Sequence, residues 1–257
     1  MAPKPVSPFA RFKRADTTMK QRIIAASFGE VGTLKTSFWL TAPSPILFQS
    51  LDRGLEGVVG APILGDYASK EIHVEEYESN TDALDQDGAI EVRDKIVEDF
   101  AYAIENGIRT IVWDKETQLY EVFKYAEFGA PSSNPKDYYA LDQRYRRLIN
   151  MAKSSDINFG IIQGMKTPWE TKVNKSGVEK GQPRYGVRER RGMREIDELV
   201  HINIEHFLGE DEKFFMKIGK ARGPGGHEIQ NKVLPYVTFP EFASLVFPDT
   251  DPDVNWV

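Results

Sequence analysis

Short apolar runs alternate with amphipathic stretches along most of this chain, and the period of the alternation predicts the elements. RIIAASFG (22–29) is an apolar run stopped by glycine, the form of a strand buried on both faces. KTSFWLTA (35–42) suits a short helix ending before Pro43, and PILFQSLD (45–52) a second strand. EIHVEEY (71–77) alternates, as an edge strand does. Over 89–105, Val92, Ile96, Phe100 and Ala103 recur at helical spacing, and Asn106-Gly107 closes the helix. RTIVWD (109–114) is a further buried strand with an acid at its carboxyl end. A second helix, 139–153, carries Leu141, Tyr145, Leu148, Ile149 and Ala152 on one stripe and leads into the strand NFGIIQG (158–164). Residues 165–194 hold four glycines and no apolar periodicity. Strands resume at LVHINIE (199–205), KFFMKIG (213–219) and VLPYVTF (233–239), before a helix around 241–247.

Strands alternating with amphipathic helices predict an α/β fold: a mainly parallel sheet flanked by helices, with antiparallel late strands. The expected division is a basic flexible arm (1–21), one domain over 22–247 containing a flexible basic loop at 165–194, and a mobile acidic tail (248–257). At 257 residues and 40% hydrophobic content, the chain suffices for one large α/β domain. The absence of cysteine excludes disulfide scaffolds, thiol catalysis and cysteine-ligated metals. The four histidines lack metal-ligand spacing. No apolar run approaches the ~20 residues of a membrane span, and the amino terminus lacks the apolar core of a secretory signal, so a cytoplasmic protein with no membrane partner is expected.

Charge sharpens the picture. The net of −6 conceals segregation: six Lys or Arg against one Asp in 1–22, four basic against fifteen acidic residues in 50–105, and nine basic against three acidic in 164–194. Such runs are usually solvated faces, but a late basic stretch in an acidic chain also suits contact with nucleic acid.

The most specific chemistry lies between the first strand and first helix, in Gly29-Glu-Val-Gly32-Thr33-Leu-Lys35-Thr36-Ser37. The spacing follows the phosphate-binding loop: glycine, four residues, glycine, lysine, then Ser or Thr. Small residues turn backbone N–H groups around a β-phosphate, Lys35 reaches the β- and γ-phosphates, and the Thr36 hydroxyl holds Mg²⁺. One position departs: Leu34 stands where the pattern has its second glycine. The strand ending in Asp114 then matches the Walker B arrangement, whose carboxylate holds the same metal.

With these two motifs, residues 22–240 resemble the RecA-like branch of P-loop ATPases, in particular the phage-encoded proteins that include single-strand annealing recombinases. The resemblance implies ATP and Mg²⁺ as cofactors, single-stranded DNA as partner, self-association into a ring or filament, and residence in the host cytoplasm. By resemblance, Asp52 activates the attacking water, with Glu56 in reserve, and Gln163 senses the γ-phosphate. The basic stretch after Gln163 falls where such proteins carry a DNA loop. Lys166, Lys172, Arg184, Arg188, Arg190 and Arg191 would neutralise phosphates there, with Trp169 and Tyr185 stacking on bases. Lys217 and Lys220, on a late strand, take the position of cations that reach a neighbouring subunit's γ-phosphate. Phe12 and Ala15 match a Phe-x-x-Ala subunit-docking spacing. Competing expectations are a hexameric helicase or helicase loader, a non-hydrolysing nucleotide-binding scaffold, and a small-molecule kinase whose lid the basic stretch would form.

Overall fold

In the computed structural model the apolar runs assemble into one eight-stranded sheet between two layers of helix. The structure describes residues 21–52, 54–79, 84–129, 138–173, 179–183, 187–193, 195–251 and 255–256. Its strands are β1 (Ile24–Phe28), β2 (Ile46–Ser50), β3 (Ile72–Glu76), β4 (Thr110–Asp114), β5 (Asn158–Gln163), β6 (Met165–Lys166), β7 (Trp169–Val173), β8 (Glu179–Pro183), β9 (Glu189–Arg190), β10 (Ile202–Leu208), β11 (Phe214–Ala221) and β12 (Val233–Pro235). The helices are α1 (Lys35–Leu40), α2 (Gln86–Glu105), α3 (Glu116–Phe128), α4 (Tyr138–Ser154), α5 (Ile196–Leu199), α6 (Gly226–Ile229) and α7 (Phe239–Val246), with a 3-10 segment at Pro62–Ser69.

The main sheet runs β12-β11-β10-β1-β5-β4-β2-β3. Its six strands from β10 to β3 are parallel; β11 runs antiparallel to β10, and β12 antiparallel to β11. The chain leaves β1 through α1 toward β2 on one side of the sheet, whereas β10 lies on the other side of β1. Connections therefore diverge at β1, and open α/β sheets bind ligands in the crevice that such a divergence leaves beyond the strand ends. Pairing of Phe28 with Gln163 and of Ser50 with Asp114 brings the carboxyl ends of β1, β5, β2 and β4 to one edge.

Two apolar layers hold this edge in place. On one face Phe38, Trp39 and Leu40 of α1 pack with Phe48, Met216, Phe239 and Phe242. On the other, Ile96, Phe100, Leu119, Phe123, Tyr145 and Ile149 from α2, α3 and α4 cover Trp113 and Phe159. Six residues are too few for a helix to persist alone, so α1 depends on this packing. The Trp39 indole N–H donates to Ser27 Oγ at 3.0 Å, tying α1 to the strand that precedes it.

Three expectations are corrected. The described residues within 165–194 include four strands: β6 pairs with β9 and β7 with β8, as two antiparallel ribbons. Alternating polar residues leave such ribbons without the apolar run that marks a core strand. The carboxyl-terminal segment is not simply a mobile tail, because Trp256 is buried against Phe239 and Phe247 and donates to Thr250 Oγ1 at 2.9 Å. Helix α3 has no counterpart among the expected elements, although Leu119, Val122, Phe123 and Ala126 fall at helical spacing and are buried. The arm, with Phe12 and Ala15, lies outside the described residues. Among the described residues no helix is long and apolar enough to cross a membrane.

Candidate functional site

The turn from β1 into α1 lies at the divergence. Gly29 has φ 151°, and a Cβ there would collide with the His206 carbonyl oxygen on β10, so the loop can leave the sheet here only through glycine. Leu34 precedes the helix with φ 63° and ψ 21°, the left-handed conformation that glycine would hold without strain. The backbone thus follows the path that the pattern's second glycine serves, with a leucine in it. Lys35 folds over the turn, its ammonium donating to the Gly29 carbonyl at 3.0 Å, to the Glu30 carbonyl, and to Thr33 Oγ1 at 3.3 Å. Burial lowers its pKa, and the charges of Asp114 and Glu30 oppose that shift. Beneath the loop, burial and then the Lys35 charge push His206 down to about 3, so this fully buried imidazole is neutral.

A cavity of about 520 Å³ opens over the loop. It collects Gly29, Gly32, Thr33, Lys35, Thr36, Ser37, Asp52, Asp114 and Gln163, residues drawn from four separate stretches of sequence. Asp114 is 3% exposed, and its Oδ2 has no hydrogen-bond partner. Burial lifts its carboxyl to about 6, against the opposing effects of the Lys115 N–H, the Lys35 charge and the Thr36 hydroxyl. A buried carboxylate oxygen left unsatisfied is costly, and beside a hydroxyl at a cavity wall it suits a hard divalent cation such as Mg²⁺. Among the described residues no three His, Cys, Asp or Glu side chains cluster as a metal site, so an ion here would draw its remaining oxygens from phosphate and water.

Asp52 stands just beyond β2, with its carboxylate ion-paired to Lys115. Its Oδ1 accepts from the Gly54 N–H at 3.2 Å. Lys115 is itself left-handed, with φ 61°, so two of the four described non-glycine residues with positive φ line this cavity. Strain of that kind collects at functional sites. Glu56 is exposed and is not part of the wall.

Gln163 is buried at the end of β5 with both ends of its amide engaged. Its Nε2 donates to Glu116 Oε2 at 2.8 Å, and its Oε1 accepts from Arg190 at 2.6 and 3.0 Å. Glu116, the first residue of α3, is fully buried and also accepts the Met193 N–H at 3.2 Å. Burial raises its carboxyl to about 7, against these donors and the Arg190 charge. Gly192, with φ 96°, lets the chain pass directly over that carboxylate, where a Cβ would strike Glu116. This hub was absent from the expectations. Its only sequence signal is a second acid two residues after Asp114, opening a helix that the hydrophobic pattern did not assign.

The cations expected to meet nucleic acid take up distinct positions. Arg190 is turned inward: it stacks over Phe28 with 4.1 Å to the ring centroid, bonds Gln163 and pairs with Asp197. Burial lowers its pKa to about 10. It braces the end of β5 in place of the exposed role its charge suggested. Arg188 is exposed, bonds Thr167 Oγ1 at 3.0 Å and pairs with Glu30 of the turn between β1 and α1 at 3.0 Å. Lys166 pairs with Glu189 at 3.2 Å. Trp169 and Lys172 fall on β7, and Arg184 and Tyr185 lie outside the described residues. Because β11 runs antiparallel, Lys220 sits at the sheet end away from the loop, donating to the carbonyls of Asp197, Glu198 and Val200 as an anchor for α5. Lys217 faces Glu205 at 4.0 Å and takes no part in the cavity wall. No protein-family model matches the chain and no curated protein matches it, so the geometry of this cavity carries the functional argument.

Proposed function

We propose that the chain is a RecA-like P-loop nucleoside triphosphatase that binds Mg-ATP over the 29–37 loop and couples its hydrolysis to single-stranded DNA, in recombination or annealing. The observation that carries this reading is the unsatisfied, buried Oδ2 of Asp114, which shares a cavity with Thr36 and Lys35 at the turn from β1 into α1. On this reading Lys35 exchanges the loop carbonyls for β- and γ-phosphate oxygens, and the loop N–H groups cradle the β-phosphate. A magnesium ion held by Thr36 and Asp114 would neutralise charge that develops on the phosphates. Asp52 orients and deprotonates the attacking water once Lys115 has moved off its carboxylate. Gln163, whose amide accepts and donates, reports the terminal phosphate through Arg190 to β9 and the basic ribbons. The Glu30–Arg188 pair supports coupling in the same direction, since it joins the phosphate loop to the segment assigned to DNA.

A second reading has its own observation. With Asp52 paired to Lys115 and Leu34 strained, the site also suits a scaffold that binds nucleotide without turning it over. ATP turnover with and without single-stranded DNA, with the particle mass measured in both conditions, separates the two. The ATPase reading predicts turnover that DNA raises, together with a larger particle. Nucleotide-dependent growth in mass with no turnover selects the scaffold, and no response of either kind contradicts both.

A further inference from the structure

Arg191 belongs to the segment read as a DNA contact, yet it lines the phosphate cavity itself. Its N–H donates to the Gly164 carbonyl at 2.9 Å, which fixes it one residue beyond the Gln163 strand end. Its Cδ lies 4.0 Å from the position of a Cβ on Gly164, so the side-chain stem passes over a residue of the cavity wall. Arg188, Arg190 and Lys166 are each held by a carboxylate. Among the described residues no acid is paired with Arg191, whose side chain is exposed.

The charge of the wall makes a cation here consequential. Glu30, Asp52 and Asp114 face Lys35, Lys115 and Arg191, and Lys115 is already paired with Asp52. Without Arg191 the wall is net negative, which opposes a polyanion until a divalent ion binds. A planar guanidinium offers paired donors to phosphate oxygens, and it stabilises the charge that spreads over a transferring phosphoryl group.

We infer that Arg191 is a catalytic residue supplied by the same chain, its guanidinium contacting the terminal phosphate of a bound nucleoside triphosphate. This rests on the phosphate-loop reading above and removes one cation from the proposed DNA surface. It adds to Lys35 a second cation at the terminal phosphate, the group that separates triphosphate from diphosphate.

The test is titration of the full chain with Mg-ADP and with a non-hydrolysable Mg-ATP analogue, for wild type, Arg191→Ala, Arg191→Lys and Lys35→Ala. Thermal unfolding of each variant establishes that it folds. Arg191→Ala should weaken triphosphate binding about 10- to 100-fold, the loss of a charge-assisted hydrogen-bond pair, while diphosphate binding stays within about twofold. Arg191→Lys should restore part of the discrimination. Equal affinities for both nucleotides in Arg191→Ala and wild type, with Lys35→Ala impaired, overturn this inference and leave the phosphate loop standing. If Lys35→Ala also binds as wild type does, the phosphate-loop reading falls with it. Should Arg191→Ala keep the discrimination but reduce the salt dependence of single-strand binding, Arg191 is a DNA contact and the inference is again overturned.

Discussion

Leu34 holds φ at 63° in the turn, a conformation that costs a non-glycine residue roughly 1–2 kcal/mol. Replacement by glycine removes that strain but adds about 0.4–1 kcal/mol of unfolded-chain entropy. Leu34→Gly should therefore stabilise the fold by no more than about 1.6 kcal/mol in urea unfolding and keep nucleotide affinity. A clear loss of stability would mean that the leucine side chain, not its backbone, matters at this turn. Asp114 carries a larger cost. Its carboxyl, lifted by burial to about 6, keeps its proton in the folded chain at pH values where an unfolded chain has lost it. The stability this confers is complete below about pH 4 and is lost as pH rises through 6. Asp114→Asn should raise stability at pH 8 by up to about 3 kcal/mol, flatten the dependence between pH 4 and 6, and weaken Mg-nucleotide binding. Unfolding curves at pH 4, 6 and 8 that match wild type would contradict the burial account of this residue.

At the scale of elements, β9 separates two arginines that charge alone treats alike. Arg190 is built into the strand ends, and its loss leaves the Gln163 side-chain carbonyl short of a donor and removes a charge that favours the Glu116 carboxylate. Arg190→Ala should cost about 1–3 kcal/mol of stability. Arg188 is exposed and its pair with Glu30 contributes little, so Arg188→Ala should change stability by less than about 1 kcal/mol. Its effect should appear in DNA binding, as a log–log salt slope shallower by about 0.7 if it meets one phosphate. Finding the two phenotypes exchanged would contradict this division of roles. Much of this scaffold was legible in advance: β1, β2, β4 and β5 are continuous apolar runs, and their ends brought Lys35, Asp52, Asp114 and Gln163 to one cavity as their positions implied. The Glu116 hub was not, because burial of a carboxylate arises from tertiary packing that periodicity does not encode. The inward turn of Arg190 was hidden for the same reason: a run of arginines reads as surface until an aromatic ring and an amide are placed beneath one of them.

For the whole molecule, the sheet order sets β3 at one edge beside β2, and β6 pairs with β9 directly beyond the carboxyl end of β5. Closure by Trp256 ties the chain's end to the helical layer beneath α1, so the core that supports the loop includes both ends of the described domain. All of this depends on the cavity being a nucleoside triphosphate site. Calorimetric titration of Mg-ATP into wild type, Lys35→Ala and Asp114→Asn tests that claim most directly. The account predicts one nucleotide per chain for wild type, loss of measurable affinity in Lys35→Ala, and loss of the magnesium dependence in Asp114→Asn. Wild-type affinity and magnesium dependence in both variants, or no binding by wild type, would contradict it.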